Sequence, residues 1–210
     1  MPWSQEFKTA LYSLDGVGPV TYRRCLKTLT EAELTEAEFW VNKYQIWQKT
    51  GLDEKIVKSI QKFIKEYNSD SYFESIVSKD IRVIMPESQE FPPLLKRIDN
   101  APPLLFARGG KLTGKESFLA VVGTRNMTDY GKRVVNDFIS PLTKFGKTIV
   151  SGFMYGVDVA AQCAALKTKG RTVGVLGFGF DFKEKMHIAY AFTPGAELGD
   201  SHRITLSGGF

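Results

Sequence analysis

Phe118-Leu119-Ala120-Val121-Val122-Gly123-Thr124-Arg125-Asn126-Met127-Thr128-Asp129-Tyr130-Gly131 is the stretch on which the reading of this 210-residue chain turns. It opens as a short apolar run with the composition of a strand buried on both faces. Gly123 frees the backbone to turn. Thr128 and Asp129 are N-cap residue types, and an amphipathic segment follows them. Strand, tight loop and helix start therefore come in that order. A helix start carries unpaired N–H groups and the positive end of a dipole, which suit an anion such as phosphate. Arg125 adds a planar fork of donors in the same loop. The stretch is read as a grip on a nucleic-acid phosphate.

Toward the C-terminus, a helix is expected from about Asp129 to Lys144. Val134, Phe138 and Leu142 form one row on it, and Val135 and Ile139 a second. Pro141 should kink or shorten this helix. Lys147 to Gly152 reads as a second strand running into a small-residue turn. Val157 to Lys169 reads as a helix with an alanine face (Ala160, Ala161, Ala164, Ala165), and Gly170 as its C-cap. Arg171 to Leu176 is the next strand, followed by Gly177-Phe178-Gly179-Phe180-Asp181. Alternating strands and helices mean crossover units, a parallel sheet and an α/β fold of Rossmann-like type. Ligands of such sheets sit at the carboxyl ends of the strands, so the loops after Gly123, Ser151 and Gly177 should face one crevice. Beyond Asp181 the pattern is weaker: Lys183-Glu184-Lys185 is charged, Met186 to Phe192 is apolar but short, and Ile204-Thr205-Leu206 reads as a stub of strand.

Toward the N-terminus, residues 3–67 read as helical. Leu14-Asp15-Gly16-Val17-Gly18-Pro19-Val20 is an apolar–Gly–apolar–Gly turn, with Pro19 suited to the first turn of the next helix. It resembles a helix-hairpin-helix element, whose turn offers N–H groups to a DNA phosphate; it is equally a plain turn between packed helices. Leu34, Phe39, Trp40, Tyr44 and Trp47 are read as core. Ile56, Ile60, Phe63, Ile64 and Tyr67 make an amphipathic stripe. Asn68-Ser69-Asp70-Ser71 clusters turn formers where the apolar period changes. The domains are accordingly set at 1–69, helical (helix-hairpin-helix or SAM-like), and 70–210, Rossmann-like. In the second, a short helix near Tyr72–Ser78, a strand at Ile81–Met85, a proline-punctuated connection from Pro86 to Arg97 and a strand within Pro102–Gly110 lead into the deciding stretch.

The composition, 43% hydrophobic and 24% charged, is that of a globular protein. Residues 1–70 hold ten cations and ten anions, so the whole net charge of +5 lies in 71–210. A basic excess is compatible with a polyanion partner. No run is long enough to cross a bilayer, and the first residues lack the form of a signal peptide. Cys25 and Cys163 belong to no metal-ligand spacing, and a reduced cytoplasm is expected. His187 and His202 are too few to build a metal or triad site. No cofactor is expected.

The motifs converge on one family. Gly123-Thr124-Arg125 with Thr128 and Tyr130-Gly131 resembles the G-[ST]-R-x-x-[ST]-x-Y-G loop of DNA-processing protein A, also called Smf. Ser151-Gly152-Phe153-Met154-Tyr155-Gly156-Val157-Asp158 resembles its S-G-x-A-x-G-I-D segment. Val175-Leu176-Gly177-Phe178-Gly179-Phe180-Asp181 resembles its V-L-G-x-G-L-D segment. Phe91-Pro92-Pro93-Leu94-Leu95 and Pro102-Pro103-Leu104-Leu105-Phe106 are similar to its Y-P-x-x-L and P-x-x-L-F approach. The likeness extends over residues 8–181. It implies an extended Rossmann domain that binds single-stranded DNA, without a catalysed reaction. It further implies a homodimer that helps load a RecA-type recombinase in DNA uptake and natural transformation. Arg125 then falls on the phosphate-binding arginine. Gly123, Thr124, Ser151, Gly152 and Gly156 fall on loop positions that bring backbone donors to the same anion.

The chain also departs from the pattern. Tyr155 stands where the family usually has arginine. The connection after Asp181 is short, with Phe192-Thr193-Pro194-Gly195 close behind, and residues 201–208 resemble a degraded R-N-R-I-I-x-G-L-S. These departures carry the expectation of a truncated, frame-shifted or diverged C-terminal end. Lys183, Lys185 and Arg203 are added as charges lining the crevice. Tyr155 or Phe178 could stack on a base, Phe178 reading rather as core. The alternative for Arg125 is a surface ion pair with Asp129 or Asp158. Asp158 itself is read as a helix-cap or helix-dipole partner.

Two other functions compete: a Rossmann-type nucleotide enzyme or sensor, and an inactive truncated family member. Against a dinucleotide oxidoreductase, the first loop lacks G-x-G-x-x-G and no acid ends the second strand. Against a phosphoribohydrolase, no P-G-G-x-G-T followed by glutamate is found.

Overall fold

The computed structural model describes residues 3–41, 52–113 and 115–176, and the backbone of 188–192. The chain divides into two compact units, Met1–Glu116 with Gly174–Ala191, and Ser117–Val173 with Phe192–Phe210.

Among the described residues the first unit begins with five helices: α1 (Gln5–Ser13), α2 (Pro19–Glu31), α3 (Glu36–Val41), α4 (Glu54–Glu66) and α5 (Ser69–Val77). Their starts are written in the local sequence. The side chains of Ser4, Asp53 and Asn68 each accept an N–H in the first turn of the helix that follows. Asn68 and Ser71 form a reciprocal capping box. Pro19 occupies the first turn of α2, as its fixed φ favours. Phe7, Leu11, Leu29, Phe39 and Ile60 are wholly or almost wholly buried, and the core they form continues to Ile81, Leu104 and Phe106. Phe39 and Trp40 are thus packing residues, as read from the sequence; Tyr44 and Trp47 lie outside the described residues. Strand β1 (Arg82–Ile84) pairs antiparallel with β2 (Leu105–Gly109), Arg82 opposite Ala107.

The second unit is built as strand, helix, strand, helix and strand: β3 (Ser117–Ala120), α6 (Asp129–Lys144), β4 (Lys147–Ser151), α7 (Val157–Lys167) and the start of β5 (Thr172–Leu176). β3 and β4 are parallel, with Ser117 opposite Lys147 and Ala120 opposite Val150. β4 lies between β3 and β5, and the Ile149 N–H donates to the Arg171 carbonyl at 3.0 Å. The core is small: Val135 and Ile139 of α6, Ile149 of β4 and Ala161, Ala164 and Ala165 of α7. The alanine face lets α7 lie close on the sheet. Within the first unit, β6 (Ile188–Phe192) pairs parallel with β2, Phe106 opposite Ile188.

Three details differ from the sequence reading. The apolar run at Phe118 is not buried on both faces: β3 pairs only with β4 among the described residues, and Val122 is 78% exposed. Composition reports the chance of burial, whereas sheet position is set by the rest of the chain. α6 runs through Pro141 to Lys144, because proline in the last turn forfeits few helical hydrogen bonds. Lys169, at φ 57°, is the left-handed residue closing α7, in place of Gly170. Gly170 is required for another reason: a Cβ there would lie 2.5 Å from Thr143 Cβ.

Candidate nucleic-acid interface

The loop after β3 is held from three sides. The Val121 N–H donates to the Val150 carbonyl at 2.9 Å, so the chain leaves the sheet one residue past the strand. At Gly123 a Cβ would lie 2.6 Å from Val157 Cγ2, so only glycine lets the loop rest on the start of α7. The Thr124 hydroxyl accepts the Asn126 N–H at 3.1 Å and closes a local turn. Thr128 then caps α6, its hydroxyl accepting the Gly131 N–H at 3.2 Å.

The loop after β4 presses against the first. Gly156 has φ 86° and ψ −126°, a conformation open essentially to glycine alone. A Cβ on it would strike the Thr124 carbonyl oxygen and come within 2.5 Å of the Arg125 carbonyl oxygen. The Val157 N–H donates to Thr124 O at 3.2 Å, so a carbonyl of the first loop occupies the first amide of α7. Phe153, at φ 58°, is a bulky residue in a left-handed conformation. No sequence signal marks that residue.

These contacts sort the polar groups. Ser151 is buried, and its hydroxyl donates to the Val121 carbonyl at 2.7 Å. The Gly152 N–H donates to Asp158 Oδ2 at 3.1 Å. Asp158 is buried in the first turn of α7, where the helix dipole favours a carboxylate. The structure thus uses the Ser151 hydroxyl and the Gly152 amide inside the protein, so the Gly152 amide is not bare toward an anion as its loop position suggests. By contrast, the N–H groups of Gly123, Thr124 and Arg125 have no hydrogen-bond partner among the described residues.

Arg125 is exposed. Its two candidate ion partners are engaged elsewhere. Asp129 Oδ1 accepts from Lys132 Nζ at 2.9 Å, and that hydrogen bond with its charge holds the Asp129 carboxyl below the ordinary range. Asp158 holds the Gly152 amide. Among the described residues Arg125 forms no ion pair. Tyr155 is half-exposed in the second loop. Lys183, Lys185, Phe178 and Arg203, with His187 and His202, lie outside the described residues. No group of three metal-ligating side chains occurs among the described residues, and none of their helices is long and apolar enough to cross a membrane.

The fold and these loops have known counterparts. The family model described as DNA recombination-mediator protein A matches residues 82–189. The chain belongs to this family. Protein Smf of Synechocystis sp. is 31% identical over 182 residues, which cover 84% of this chain and 45% of that protein. DNA processing protein DprA of Bacillus subtilis is 43% identical over 101 residues, 48% of this chain and 34% of that protein. The chain therefore spans less than half the length of these curated relatives. The X-ray structure of DNA processing protein A from Streptococcus pneumoniae superposes with a TM-score of 0.62 at 21% identity, over 96% of this chain and 72% of that chain. That likeness shows a shared Rossmann-like fold. The parallel unit, with its crossover helices and its loops at the carboxyl ends of β3 and β4, is this family's α/β architecture.

Proposed function

We propose that this chain binds single-stranded DNA through the loop at Gly123, Thr124 and Arg125. One observation carries the reading: at the carboxyl end of a parallel strand, a guanidinium without an ion pair follows three backbone amides that have no hydrogen-bond partner among the described residues. A phosphate oxygen satisfies both kinds of donor at once. Ser151, Gly152 and Gly156 act by shape, fixing the second loop against the first. Tyr155, exposed in that loop, offers a ring to a base, an interaction worth about 1–3 kcal/mol. Lys183 and Arg203 are assigned to the same DNA path.

The wider role follows from family membership and is part of the proposal. The chain acts without catalysing a reaction, needs no cofactor, and passes the bound strand to a RecA-type recombinase in DNA uptake. It works as a homodimer in the cytoplasm. The proposed functional division is 1–69, a helical domain, and 70–210, the DNA-binding domain.

Titration of a labelled oligothymidylate at several salt concentrations tests the reading. Binding is expected, with log K falling by about 0.7 per phosphate contacted for each tenfold rise in salt. Tight binding of a mononucleotide with indifference to the oligomer would establish the nucleotide-sensor reading instead. Binding of neither would leave an inactive family member.

A further inference from the structure

The opposite end of the second unit, where β4 and β5 begin, carries its own concentration of charge. Residues 138–176 contain the cations Lys144, Lys147, Lys167, Lys169 and Arg171 and a single acid, Asp158. That acid lies buried beside Gly152 at the other end of the strands. All five cations fall where α6 and α7 end and where β4 and β5 start.

The helix ends are clamped together. The Thr143 and Thr168 hydroxyls lie 2.6 Å apart, and Gly170 leaves no room for a Cβ beside Thr143. Lys144 therefore follows directly on a residue held against the turn that bears Lys167 and Lys169. These three lysines are exposed, while Lys147 is half-buried and donates from Nζ to the Ser117 hydroxyl at 2.7 Å. Between Lys144 and Lys147 stands Phe145, 82% exposed.

Helix-end electrostatics account for part of this. A last-turn cation complements the negative end of a helix dipole, which covers Lys144 and Lys167. It covers neither Lys169, exposed past the end of α7, nor an exposed phenyl ring. A ring flanked by cations is the chemistry of a single-strand contact, with charge following the backbone and a π-face taking a base.

We propose that this end of the unit is a second contact for single-stranded nucleic acid. Phe145 stacks on a base, and Lys144, Lys167 and Lys169 meet the phosphates on either side. The site shares no residue with the Arg125 loop.

The test uses the full chain with Phe145→Trp, titrated with oligothymidylate. The wild type supplies the blank for the native tryptophans Trp3, Trp40 and Trp47. The emission added by the new indole is expected to fall on binding. The fall should persist with Arg125→Ala and vanish with Lys167→Glu plus Lys169→Glu. Phe145→Ala should weaken the contact roughly fivefold to a hundredfold. Oligomer binding that leaves the new emission unchanged would overturn the proposal while leaving the Arg125 reading intact. Quenching that survives the double lysine change, or that polyglutamate reproduces, would overturn it too. Absence of any oligomer binding would overturn both.

Discussion

Phe7 and Phe39 of the helical region are fully buried, whereas Tyr130, Phe138 and Phe145 of the α/β unit stand 65–82% exposed. The two regions also close differently. In the first, rings pack on rings: Phe7 stacks on Trp3 at 4.8 Å and meets Phe39 edge-on at 5.3 Å, and Trp40 stacks on Phe63 at 5.1 Å. In the second, alanines and glycines set the spacing, and the polar loop groups hold one another. The contrast separates a region whose apolar area is spent on its own stability from one that keeps rings, cations and amides at its surface. The proposed binding lies in the second kind of region.

The contrast can be broken most severely at Phe7. Phe7→Ala removes the ring at the centre of the front core and should lower stability by about 3–5 kcal/mol, read by urea denaturation. The oligomer contacts at the α/β loops should survive wherever the protein remains folded. Gly156→Ala comes next. Its Cβ has no space against Thr124 and Arg125, and its φ suits glycine. A loss of about 1–3 kcal/mol is expected, together with weaker oligomer binding, because the same clash displaces Arg125. A variant that loses stability and keeps full affinity would separate the two loops that the structure joins.

A smaller effect distinguishes the regions by pH. Burial pushes the Cys25 thiol from its ordinary 9.0 up to about 11. The folded state therefore keeps a proton that the unfolded chain releases first, and stability should fall as pH rises from 9 toward 11. Cys25→Ala should flatten that fall only below about pH 10, because above it the buried Tyr12 and Tyr22 hydroxyls, both pushed up by burial, lower stability in the same direction. Cys163 is exposed and should react with a maleimide in the native protein, while Cys25 reacts only on unfolding.

Much of this was legible in the residues. The start of α6 follows from Thr128 as cap and its buried face from the Val135/Ile139 row, although Phe138 of the neighbouring row stands exposed; α7 follows from its alanine face and Val157 start. Gly123 and Arg125 stand out because glycine and arginine between a strand and a helix have few other uses. The pairings that decide which donors stay free were not legible. Asp158 is six residues from Gly152 and Thr124 is thirty-three from Val157, and each hydrogen bond depends on how the two loops meet. The edge position of β3 was hidden for a similar reason, since strand neighbours are chosen by topology and not by composition. Lys183 and Arg203 remain known only from sequence.

The most direct test is to compare wild type with Arg125→Ala in oligothymidylate titrations across salt. Arg125 is exposed and forms no ion pair among the described residues, so its removal should leave the unfolding midpoint unchanged. Affinity should fall about tenfold, and the slope of log K against log salt should flatten by about 0.7, the share of one phosphate. Identical affinity and slope in the two proteins would contradict the assignment of this loop to DNA.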